Sequence, residues 1–211
     1  MSLTLVDPEV TKRKFKNELA LWKSQNVLQE RGWLILSEDE SIPHVELALL
    51  AGVTTGGPIK KLDVVVCAVR INYENYDLWP PSLSFIDVFT REFRPPQVRA
   101  FLNTIEGPRD VLVDGHPSSN RPFLCLPGIR EYHTHPQHTG DEWHLHRATK
   151  EGSISVICER LWLTMAKNVI GLRVLLQTLP TPAQQAQFAV QVMQGDLENM
   201  ALLVNRPSPE S

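Results

Sequence analysis

Cys125 and six of the seven histidines lie between positions 110 and 147, in a stretch without helical or strand periodicity. A cysteine among titratable groups in an irregular loop is either a small apolar residue packed there or a nucleophile. Its thiolate attacks activated acyl groups well and then departs well, so it can carry a group as a thioester where a serine ester would be too inert. Arg121 and the nearby histidines supply cationic character that favours the thiolate if the fold brings them close. The other two cysteines invite no such reading. Cys67 sits inside the apolar run Val64 to Val69, and Cys158 stands beside Ile157 in a segment of helical spacing, so both read as core residues. Three widely spaced cysteines do not describe a disulfide framework, and a reducing compartment fits them.

The histidines admit a second chemistry. His133-Thr134-His135-Pro136 and His144-Leu145-His146 form two pairs at i, i+2, which on extended backbone would share a face and suit zinc, with Asp141 as an additional ligand. The first pair also resembles the His-x-His-Pro of JAMM-type deubiquitinating metalloproteases. That family continues with a Ser-x-x-Asp at longer spacing, and here Asp141 comes too soon and without the serine. A solvated histidine loop needing no cofactor is the simpler alternative.

The elements that must position these residues follow from the remaining pattern. Asp7 is placed to cap a helix with Pro8 in its first turn and Phe15, Leu19 and Trp22 on one stripe. Trp33 to Leu36, Val45 to Leu50, Leu62 to Val69 and Leu83 to Val88 read as four strands of an antiparallel meander, punctuated by Pro43 and by Thr55-Gly56-Gly57-Pro58. Pro95-Pro96 opens a segment, Gln97 to Asn103, expected to make a helical turn. Behind Gly152-Ser153, the residues Ile154, Ile157, Leu161 and Met165 predict a helix. Thr181-Pro182-Ala183-Gln184 predicts a last helix through Phe188 and Val192 toward Leu203, before a disordered tail from Arg206 to Ser211. The sum is an α+β order over 211 residues with no repeat or linker, read as one domain over 1–211 in which 179–211 adds a C-terminal helix and tail. Charged residues make up 21% of the chain and its net charge is −3, which leaves no basic excess for nucleic acid. No apolar run approaches the roughly 20 residues of a membrane span, and the first residues lack a signal-peptide pattern, so a cytoplasmic protein is expected.

Several local anchors now align. Tyr76, Pro80, Pro81 and Phe85 precede His116-Pro117, which precedes Cys125-Leu126, which precedes Trp143 and the helix from Ser153. This order resembles the ubiquitin-conjugating superfamily over roughly residues 9 to 178. The resemblance implies the conjugating fold: an N-terminal helix, a four-stranded meander, an irregular active-site loop and C-terminal helices. It implies that Cys125 takes a ubiquitin-like modifier from an activating enzyme and passes it to an amine of a target protein, through a tetrahedral oxyanion that needs positioned donors. It also implies that the first helix, with Lys12, Arg13, Lys14 and Lys16, docks the activating enzyme. Two departures stand out. Ser118-Ser119-Asn120 replaces the asparagine that usually follows His-Pro, making Asn120 a candidate substitute, and the connections 87–115 and 127–142 are longer than usual. His133 or His135, in the second insertion, is a candidate replacement donor or base. Such departures are similar to those of prokaryotic relatives, several of which serve antiviral defence. Variants of this fold that lost the cysteine act as scaffolds, and the missing asparagine leaves a non-catalytic scaffold as the competing class.

Overall fold

A computed structural model describes residues 5–54, 61–167, 169–178 and 186–194. Helix α1 spans Pro8–Lys23; the Asp7 carboxylate accepts the Glu9 amide at 2.9 Å, and Pro8 occupies the first position, where a missing N–H costs nothing. Thr11, Phe15, Leu19 and Trp22 are its buried residues, the stripe expected from their spacing. A single turn, α2 (Val27–Glu30), leads to β1 (Trp33–Asp39), β2 (His44–Thr54), β3 (Lys61–Asn72) and β4 (Ser82–Ile86). These pair antiparallel in the order β1-β2-β3-β4, the expected meander.

Register decides which face is apolar. Leu47 pairs with Val69 and Leu49 with Cys67, while Val69 pairs with Phe85 and Ile71 with Leu83, so alternate residues stack on one side. That side joins Phe15, Leu19 and Trp22 of α1 and Ile154, Ile157, Cys158 and Leu161 of α4 (Ile154–Leu161) in one core. The Ser153 hydroxyl caps α4 by accepting the Val156 amide at 3.3 Å, and the helix runs on through a π-helical turn over Trp162–Ala166. Cys67 and Cys158 are both buried here, in the apolar roles their sequence context indicates.

The architecture is α+β, with corrections to the expected elements. Gln97 to Asn103 forms no helical turn; Val98 and Ala100 are buried in irregular chain, and Phe101–Thr104 (β5) pairs with Gly107–Asp110 (β6). Gly107, at φ +113°, makes the tight reversal available, a signal that outweighs the double proline upstream. Two short strands follow, β7 (Leu112–Val113) and β8 (Phe123–Leu124). The expected last helix is also overturned. Ala186–Gln194 is a strand, β10, antiparallel to β9 (Val169–Thr178), and Phe188, Val190 and Val192 show the physical reason: apolar residues recurring every second position, two of them β-branched. The cap at Thr181 to Gln184, Leu203 and the tail from Arg206 lie outside the described residues, as does Thr55 to Pro58. Among the described residues no helix is long and apolar enough to cross a membrane.

Phe15 is fully buried and packs its ring 5.5 Å from that of Tyr73. Phe15→Ala is expected to cost about 3–5 kcal/mol in urea unfolding, whereas Leu21→Ala, at a residue 56% exposed on the same helix, leaves the midpoint nearly unchanged.

Candidate functional site

Cys125 leaves the end of a small sheet. Leu112 pairs with Leu124 and Val113 with Phe123, and the Cys125 amide then donates to the Val111 carbonyl at 2.7 Å. Phe123, Leu124 and Leu126 are buried around it, and Cys125 itself is half-buried. Its Sγ lies 3.0 Å from Nε2 of His138. Burial raises the Cys125 pKa and the Arg109 charge works against that rise, while burial lowers the pKa of His138, with the neighbouring His135 adding to the effect. Both directions describe a neutral thiol beside a neutral imidazole. The other two thiols are buried deeper, with Cys67 pushed up to about 12 and Cys158 well above its ordinary value by desolvation.

His138 is held on two sides. The Tyr132 ring stacks on it at 3.9 Å, and the Asp141 amide donates to its carbonyl at 3.0 Å. The Tyr132 hydroxyl in turn donates to Asp141 Oδ2 at 2.6 Å, and the other oxygen of that carboxylate lies 2.5 Å from Nε2 of His146. The far side of His146 meets Glu151 at 2.5 Å, and Glu151 pairs with Arg160, whose guanidinium donates to the carbonyl of Pro127, two residues after Cys125. Bonding to Asp141 raises the His146 pKa, and the bond from Tyr132 lowers that of Asp141.

Helix α3 (Arg130–His133) fastens this segment to the meander. Arg130 donates through its amide to the Pro81 carbonyl at 2.8 Å and through its guanidinium to the carbonyls of Pro80 (3.1 Å) and Glu74 (2.7 Å). Glu131 accepts from the Ser82 hydroxyl and the Leu83 amide at the start of β4. Gly128 is at φ +88°, and a Cβ there would stand 2.4 Å from the Glu151 carbonyl oxygen, so only glycine fits. Trp143 closes the arrangement, donating its indole N–H to the Asp77 carbonyl at 3.0 Å beside Tyr76, and its ring would crowd a Cβ on Gly152.

A Y4jH-like family profile matches residues 6–108 and 109–169, and a protein of Sinorhizobium fredii (strain NBRC 101917 / NGR234), described as uncharacterized protein y4jH, is 30% identical over 215 residues, spanning 92% of this chain and 94% of that one. The chain belongs to the Y4jH family. The second matched segment contains Cys125, His138, Tyr132, Asp141 and His146, and the first contains the carbonyls of Glu74, Pro80 and Pro81 that hold Arg130.

Within this family member the residues singled out by sequence have distinct places. His116 is buried: the Ser118 amide and hydroxyl donate to its Nδ1, and Nε2 donates to the Thr134 hydroxyl at 3.3 Å. It therefore builds the turn on which Asn120 sits exposed in left-handed backbone at φ 53°, with its amide on the His116 carbonyl. His133 has both ring nitrogens engaged by backbone, Nδ1 donating to Asp141 and Nε2 accepting from Gly128. His135 stacks on Phe123 at 5.3 Å and lies 5.7 Å from the rings of His116 and His138, beside the pair without taking the thiol contact. The thiol contact belongs to His138, which sequence reasoning missed. The metal geometry needs correction too. His133 ends a helical turn and His144-Leu145-His146 lie in and just after a 3-10 turn, not on extended strands, and His144 pairs at the surface with Glu142. Among the described residues no group of three or more His, Cys, Asp or Glu is arranged to hold a metal ion.

The raised pKa of His146 sets a pH window. A histidine whose folded pKa exceeds its unfolded value, ordinarily ~6.5, contributes stability fully below that value and loses it as pH rises through the folded pKa. The stability difference between the natural protein and His146→Gln should therefore be largest below about pH 6.5 and shrink on going to pH 8.5, measured by urea unfolding across that range; a difference that grows with pH would contradict the pairing.

Proposed function

We propose that this protein is a ubiquitin-conjugating-like transferase that accepts a ubiquitin-like modifier from an activating enzyme as a thioester on Cys125 and transfers it to an amine of a target protein. The observation that carries the reading is Cys125 itself: the accessible thiol of the three, set at the end of a short strand, with an imidazole at 3.0 Å. The reading is supported by the helix, the four-stranded meander, the buried His116 turn and the packing of Tyr76, Pro81, Trp143 and Gly152, which lie in the chain order that the sequence resemblance implies. A reducing, cytoplasmic setting keeps Cys125 as a thiol.

In the first step the Cys125 sulfur attacks the carbonyl carbon of the incoming thioester and the donor's thiol leaves. In the second, the target amine attacks the same carbon and Cys125 leaves. The exposed basic face of α1, including Arg13 and Lys16, is the surface proposed for the activating enzyme. A non-catalytic scaffold would need neither an accessible thiol nor an imidazole on it.

A thioester of a diglycine peptide tests the reading without its partners. Incubated with the protein at pH 7 and followed by intact mass spectrometry without reductant, it is expected to add one diglycyl group on Cys125, removable by dithiothreitol or by free lysine and absent from Cys125→Ala. No adduct on the folded natural protein would favour the scaffold.

A further inference from the structure

Resting on the acyl-carrier reading of Cys125, we infer that His138 is a catalytic residue of this site, the general base that takes the Cys125 proton during attack and returns it to the departing group. Geometry carries this assignment. Nε2 of His138 is 3.0 Å from Sγ, within the reach of direct proton transfer to or from sulfur. The ring is held there by its stack on Tyr132, whose hydroxyl is fixed by Asp141, so the imidazole is oriented by a third group as an activated nucleophile requires.

The alternatives nearby are otherwise engaged. Both nitrogens of His133 are bonded to backbone, His116 is buried between Ser118 and Thr134, and the Asp141 carboxylate is shared between Tyr132 and His146. The groups acting on the pair are Arg109, His135, His133, Asp141 and, through Tyr132, Glu151. A raised thiol and a lowered imidazole keep the resting pair neutral, which is the state a base needs.

The steps balance without any further reactant. In loading, the S–H bond of Cys125 breaks, its proton moves to Nε2 of His138, a new S–C bond forms, and the donor's C–S bond breaks as its sulfur takes the proton from Nε2. In discharge, the amine nitrogen forms the C–N bond, one of its protons moves to Nε2, and the S–C bond to Cys125 breaks with that proton returned to Sγ.

The test is alkylation of Cys125 by iodoacetamide between pH 5.5 and 10, with peptide mapping to separate it from Cys67 and Cys158, in the natural protein and in His138→Gln. General-base assistance is worth about 10²–10⁴-fold, so labelling of the variant at pH 7 should fall at least ~10-fold and draw together with the natural rate toward the alkaline end of the range, as the thiol ionises unaided. Equal rates at pH 7, or a loss by the same factor at every pH, would overturn the assignment. The natural protein alone gives a second readout should the variant fail to fold. Its labelling rate should rise with the titration of His138 followed by NMR, and a single rise in the ordinary thiol range would overturn it. The two proposals fail separately: His-dependent labelling without diglycyl loading removes the acyl-carrier reading and leaves the pair, while loading at an equal rate in His138→Gln does the reverse.

Discussion

Everything proposed for Cys125 depends on how the chain from 127 to 151 is tied down where it has left the sheet. Arg130 is the principal tie: its amide and guanidinium reach three backbone carbonyls, of Glu74, Pro80 and Pro81, in the segment between β3 and β4. Hydrogen bonds from a charged donor contribute about 1.5–3 kcal/mol each, and the guanidinium makes two of the three. Glu131 adds its bonds to Ser82 and Leu83 on the adjoining residue. One helical turn thus converts a long insertion into a fixed wall beside the cysteine.

From that wall the order spreads through rings and charges. Tyr132, next to Glu131, carries His138 on its face, and its hydroxyl links Asp141 to a chain through His146, Glu151 and Arg160 that returns to Pro127. The loop begins and ends on the same network. On the other side, Phe123, His116, His135 and His138 follow one another within 5.0–5.7 Å between ring centres. The thiol lies between the small sheet that delivers it and the imidazole that this network holds.

Much of the scaffold was legible in sequence because local chemistry and periodicity agreed. Asp7-Pro8 with the Phe15, Leu19 and Trp22 stripe gave α1, the alternating runs gave the meander, and Ser153 with Ile154, Ile157 and Leu161 gave α4. Cys125 stood out for the same reason inverted, as the cysteine outside any pattern. His138 did not stand out. It is 13 residues beyond Cys125, and its contact depends on two successive tight turns, over Arg130–His133 and Pro136–His138, that no periodicity announces. The paired histidines drew attention to themselves by spacing, yet that spacing implies a shared face only on extended backbone, and the backbone there turns instead. At Ala186–Gln194 the capping signal upstream points to a helix, whereas the two-residue alternation that follows it belongs to a strand.

On the function proposed, this site makes Cys125 a better acyl acceptor than an ordinary thiol. The most direct measurement is the second-order rate constant for transfer of a diglycyl group from its thioester to Cys125, set against that to free N-acetylcysteine at pH 7. A neutral thiol with an oriented base predicts a rate at least ~10-fold above the free thiol. A rate equal to or below that of N-acetylcysteine would contradict it, since burial alone slows a thiol.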